Sequence, residues 1–185
     1  MSFHTRRQRS DGLQGSVDPL SPPATDSDPV ILDGMFGCYL DSLALVERMH
    51  RLLLDVIKDE FERLGILNVN AVQALLLFNI ADHEVTAGEL KSRGYYQGSN
   101  VSYNLKKLVE LGLIHHTRCE IDRRSVRVRL TSEGNSVRRA VADLFARHAQ
   151  GLHQRGVIEL DELDRINAGL RRMERFWSDQ IRYIY

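Results

Sequence analysis

Asn100, Tyr103, Asn104 and Lys107 stand at offsets of 0, 3, 4 and 7, the spacing that gathers side chains on one face of a helix. An asparagine amide pairs bidentately with adenine, a lysine reaches guanine or phosphate, and a tyrosine reaches phosphate or a thymine methyl. Ser99 and Ser102 add hydroxyls near the start of the same helix, where free backbone amides attract anions. Further along, Asp122-Arg123-Arg124 crowds two guanidinium groups into one loop, where they repel unless an anion lies near. A narrow minor groove supplies such an anion. The plainer readings are a solvated helix face and ordinary turn chemistry around Asp122.

Charge weighs against the plain readings. The chain carries 25 Lys or Arg against 25 Asp or Glu, a formal net charge of zero. Between Thr86 and Thr131 there are nine basic residues and four acidic ones, so this stretch holds +5 and the remainder −5. A basic middle between acidic ends suits an anionic partner that docks at one place.

Other reactive residue types carry less. His115 and His116 are neighbours on an expected strand and point to opposite faces, so they cannot chelate one ion together. His115 and Cys119 share a face, but two ligands make a weak metal signal. Asp161, Glu162 and Asp164 suit the first turn of a helix better than acid-base chemistry. There is no Gly-rich phosphate loop and no nucleophile paired with a base, so no enzyme, cofactor or metal is expected. Cys38 and Cys119 form no CxxC motif and read as free thiols. No apolar run is long enough for a membrane span and the start lacks a signal peptide, so a cytoplasmic protein without a membrane partner is expected.

The elements that must position these residues follow from periodicity. Residues 1–33 read as a disordered tail, being rich in Ser, Asp, Pro, Gly and Arg. A long amphipathic helix is expected from about Gly34 to Leu64, stopped by Gly65, then a short apolar helix over Asn70–Ala81. Thr86 and Glu89 have capping-box spacing for a helix to Arg93. Ser99 is expected to cap a helix over Asn100–Leu111, with Val101, Leu105, Leu108 and Leu111 facing the core. Leu113–Cys119 and Ser125–Thr131 read as two strands, the second alternating Val126, Val128 and Leu130 with polar residues. Thr131 caps a helix to Gln154, and a last helix over Asp161–Tyr185 carries Leu163, Ile166, Leu170, Met173, Trp177, Ile181 and Ile184 on one stripe.

This order makes a mainly α (α+β) chain: a winged helix-turn-helix over 66–131, with a helical dimerisation region over 34–65 and 132–185. A second helix of that kind enters a major groove while the ribbon loop reaches a minor groove. The overlong first helix and the last stripe offer more apolar surface than one chain readily buries, which points to a twofold homodimer. Double-stranded DNA is therefore the expected partner, with a winged-helix adaptor for a protein partner as the rival reading.

Residues 72–134 resemble the MarR (multiple antibiotic resistance regulator) family. The likeness rests on Gly88-Glu-Leu, on the run from Ser99 to Ile114, and on Asp122-Arg-Arg-Ser-Val-Arg-Val-Arg-Leu-Thr-Ser-Glu-Gly134. The chain is also similar to the LdtR-like subgroup. The resemblance implies a dimer formed by the first and last two helices, Arg124 in a minor groove and Asp122 bracing the wing. It also implies a repressor released by a small aromatic or phenolic effector. Tyr39, Arg48, Met49, Leu53, Phe61 and Phe78 are the candidates to line its pocket, where the first helix meets the second helix and the dimer helices; each equally suits plain core packing. Peroxide-sensing members carry a cysteine in a place broadly similar to Cys38, which makes it a redox candidate, although a buried inert thiol is the plainer expectation.

Overall fold

Apolar spacing of three and four over the first half of the chain closes into helices, and the change to period two after Gly112 closes into strands. The computed structural model describes residues 29–80, 84–92, 98–118 and 126–184. Its elements are α1 (Pro29–Leu64), α2 (Ala71–Ile80), β1 (Val85–Thr86), α3 (Ala87–Ser92), α4 (Gly98–Glu110), β2 (Ile114–Arg118), β3 (Val126–Leu130), α5 (Ser132–Gln154) and α6 (Leu160–Ile184). This is the mainly helical winged-helix fold expected from the sequence.

The chain divides into two units, residues 1–45 and 46–185. In the first, α1 begins at Pro29, so residues 29–33 are helical where a disordered tail was expected. Pro29 fits there because its missing N–H is one the first turn leaves free anyway. Ile31, Met35, Phe36 and Leu40 of this unit are all exposed.

In the second unit one core gathers Ile57 and Phe61 of α1, Leu76, Leu77 and Ile80 of α2, Leu90, Leu108, Val128 and Val141, all at most 2% exposed. α2 is mostly apolar, with Gln73 and Asn79 as its polar residues, and it lies in this core packed against α5. Phe78 and Phe145 seal that contact edge to face, their centroids 5.1 Å apart.

The sheet is antiparallel, with order β1-β3-β2. Leu130 opposes Ile114 and Arg127 opposes Thr117 across the ribbon, while Val85 opposes Val128 on the other side. β1 was not expected; with two residues it has no period of its own and exists because buried Val85 completes the cover over Val128.

The junction of α4, the ribbon and α5 is set by two glycines. Gly112 adopts φ +71°, a left-handed conformation that lets the chain turn from α4 into β2. Gly134 lies so close to the ribbon base that a Cβ there would overlap the carbonyl oxygen of Leu113. Thr131 caps α5 by accepting from the Gly134 amide at 3.0 Å, and its own amide donates to Leu113 at 3.0 Å. α6 runs 25 residues and leaves Ile166, Leu170, Phe176 and Ile181 exposed within the chain.

Candidate nucleic-acid interface

The helix-turn-helix is α3 and α4, and each begins from local chemistry. At α3 the Thr86 hydroxyl accepts from the Glu89 amide at 3.0 Å, while the Glu89 carboxylate accepts from the Thr86 amide at 2.6 Å. That is the reciprocal cap expected from the spacing. α4 begins at Gly98, two residues earlier than expected, which places Ser99 inside the first turn rather than at the cap. The Ser99 side chain lies outside the described residues.

Burial fixes which side of α4 faces out. Val101, Asn104, Leu105 and Leu108 are 1%, 8%, 5% and 0% exposed, and they form the inward stripe at offsets of 0, 3, 4 and 7. Asn104 therefore does not share the outward face with Asn100 and Tyr103, and the expectation that it reads a base is corrected. It sits three residues after Val101 and four before Leu108, so the helix turns it inward. There its amide donates to the Asn100 carbonyl at 2.9 Å, which satisfies a donor that burial would otherwise leave costly.

The outward side carries Asn100, Ser102, Tyr103 and Lys106, with Tyr103 61% exposed. Lys106 was missed as a contact residue. The signal for it was present, since 99, 102, 103 and 106 share the spacing opposite to Val101 and Leu108. Lys107 lies to one side of this face and pairs with Glu110 at 2.7 Å. The Glu110 carboxylate beside it raises the Lys107 pKa, and the lysine in turn holds Glu110 below the usual carboxylate range.

The ribbon adds Arg127 and Arg129, both exposed, with Arg127 paired to Glu84 at 3.0 Å. Asp122, Arg123 and Arg124, and with them the wing tip, lie outside the described residues, as does Cys119.

Of the effector candidates, Tyr39 belongs to the first unit and the others to the second. Phe61 is 2% exposed and belongs to the core, and Leu53 and Phe78 pack against that core, which is the plain packing that each equally suits. Arg48 and Met49 are exposed on α1, and Tyr39 is exposed in the first unit. A cavity of about 580 Å³ between the end of α1 and the start of α2 takes only Phe61 of this set. Cys38 is exposed, where a buried thiol was expected, and its carbonyl accepts from the Ser42 hydroxyl at 2.8 Å.

Among the described residues no group of three or more His, Cys, Asp or Glu is placed to hold a metal ion. No helix among them is long and apolar enough to cross a membrane.

Comparison with known proteins meets this geometry. Residues 69–134 match the family model of a winged helix DNA-binding domain. The chain is 32% identical over 164 residues to the exopolysaccharide II synthesis transcriptional activator ExpG of Rhizobium meliloti, covering 89% of this chain and 82% of that one. Among solved structures, a MarR transcriptional regulator from Methanosarcina mazei Go1 superposes with a TM-score of 0.60 at 19% identity, over 74% of this chain and 95% of that chain. The S. aureus MepR–DNA complex superposes with a TM-score of 0.60 at 19% identity, over 71% of this chain and 95% of that chain. The buried stripe of α4, the three-stranded ribbon and the relationship to ExpG agree: the chain belongs to the same family of transcriptional regulators as ExpG, with a winged helix DNA-binding domain and the fold of the MarR regulator structures.

Proposed function

We propose that the protein binds a pseudo-palindromic operator in duplex DNA as a homodimer and that a small aromatic or phenolic effector tunes the complex. The outward face of α4 carries the reading: Asn100, Ser102, Tyr103 and Lys106 are presented together on a helix whose opposite stripe is locked into the core. Ser99, Lys107 and the wing residues Arg123 and Arg124, braced by Asp122, complete the proposed contact set. Selection of bound sequences from a random DNA pool tests it. A palindrome of two half-sites about 34–36 Å apart is expected; a pool with no enrichment overturns the reading.

The homodimer rests on uncovered apolar surface. Met35 and Phe36 on α1 and Leu170 and Ile181 on α6 are all more than 40% exposed in the single chain, and a second copy is the occupant that the twofold operator requires. The LdtR-like subgroup remains part of this reading on the strength of the 122–134 sequence.

Two observations favour a second reading of the control. ExpG is named as an activator, which supports activation at the operator in place of the repression expected from the sequence. Exposed Cys38 supports a redox trigger in place of a ligand. A ligand-gated protein loses operator affinity with a phenolic compound even as Cys38→Ser, whereas a redox switch answers peroxide and loses that answer in the same variant. A reporter placed behind the selected operator gives the sign of regulation.

A further inference from the structure

Away from the nucleic-acid face, a hollow of about 420 Å³ opens where the end of α1 meets α5. Its walls carry Arg63, Arg139 and Arg147 against Glu60 and Asp143, with Ser136, Leu64 and Ala140 between them. Glu60 is the fixed point. Its side chain is 10% exposed and accepts from Arg63 Nε and Nη2 at 2.7 Å each and from Arg147 Nη2 at 2.6 Å.

The arginines are not used up by this. A guanidinium carries five N–H donors in a fixed fork. Arg63 gives two N–H directions to Glu60, Arg147 gives one, and Arg139 reaches only the Asn135 carbonyl, through Nε at 3.4 Å. Among the described residues the other donors of these three side chains have no acceptor, and their side chains are exposed toward the hollow. Three cations against two carboxylates leave the hollow at +1.

Protonation does not alter that balance near neutral pH. The two arginines hold the Glu60 carboxyl at about 2, so it stays charged at neutral pH.

We propose that this hollow binds a small organic oxyanion, a carboxylate or a phosphate, which also carries a hydroxyl or amine donor. Arg139 and the outer N–H groups of Arg63 and Arg147 hold the oxyanion through paired charge-assisted hydrogen bonds. The donor faces Asp143, which would repel an anion that lacks one. The volume falls within the range of small-molecule sites and admits one compact metabolite. Leu64 and Ala140 give its carbon skeleton an apolar edge.

The test is calorimetry on the full chain without DNA, so it does not depend on the operator reading. Citrate and glucose 6-phosphate are the probes, with inorganic sulfate as the donor-free anion and potassium chloride as the control at equal ionic strength. Saturable heat is expected with citrate or glucose 6-phosphate, and the tighter of the two identifies the oxyanion as carboxylate or phosphate. Arg139→Ala, at an exposed position outside the Glu60 cluster, weakens that binding about tenfold. Asp143→Asn improves inorganic sulfate severalfold while leaving the fold intact. Heats no different from potassium chloride, or an Arg139→Ala variant that binds as before, overturn the proposal.

Discussion

The hydroxyl of Thr131 donates to the carbonyl of Gly112 at 2.8 Å while its oxygen accepts from the Gly134 amide. One side chain therefore closes the turn after α4 and the start of α5 together. Thr131→Val keeps the shape and removes both bonds, and a loss of about 1–2 kcal/mol is expected. Urea unfolding followed by circular dichroism measures it.

Gly134→Ala tests the neighbouring contact. The added methyl meets backbone, the carbonyl of Leu113, and backbone cannot rotate away as a long side chain can. A destabilisation of about 1–3 kcal/mol is expected. Gly151→Ala in the same helix, where a Cβ meets nothing within 4 Å, is the control and should be neutral or stabilising.

Lys106→Ala should weaken operator binding at every sequence and lower the slope of affinity against salt by about one phosphate contact. Asn100→Ala should instead relax preference at one base pair by about 1–3 kcal/mol. Asn104→Ala should change stability and leave base preference alone, because its amide is spent on the Asn100 carbonyl. Gel-shift titrations over a mutated operator series separate the three outcomes.

These assignments show where the sequence was readable. Caps were readable because they are local: Thr86 with Glu89, and Thr131 with Gly134, each use a fixed three-residue spacing. The stripe of α6 and the alternation of β3 were readable for the same reason. The core stripe of α4 was readable in Val101, Leu105 and Leu108, but its outward face was not, since polar Asn104 occupies a core position and pulled the expected face around the helix. Hydrophobic pattern alone cannot show that a buried amide has found a carbonyl four residues back. β1 escaped because its cause is Val128, more than forty residues away. Cys38 escaped because an apolar surrounding in sequence does not tell whether its own chain covers it.

The Glu60 cluster predicts an acid-side stability change. Its folded pKa lies at about 2, below the ordinary 4.5, so its contribution is complete above pH 4.5 and fades as the pH falls toward 2. Glu60→Gln should lose about 1.5–3 kcal/mol at neutral pH and show a flatter stability profile between pH 4.5 and 2. Thermal unfolding across that range gives the answer.

Trp177→Glu addresses assembly. Trp177 is 37% exposed on the stripe of α6, and in the proposed dimer a carboxylate there would be buried without a partner. Light scattering at micromolar concentration should show a dimer for the parent chain and a monomer for the variant.

The shared bonding of Thr131 also has a mechanical meaning. Because the first turn of α5 is fastened to Gly112 and Leu113, the helix and the base of the ribbon move as one piece. At about 1.5 Å per residue, the 23 residues of α5 make an arm of about 35 Å. A tilt of roughly 5° about its far end swings the near end by about 3 Å, close to the 3.4 Å step between base pairs. In the proposed dimer, such a swing puts the two reading heads one step out of phase with the operator without breaking a single bond inside either of them.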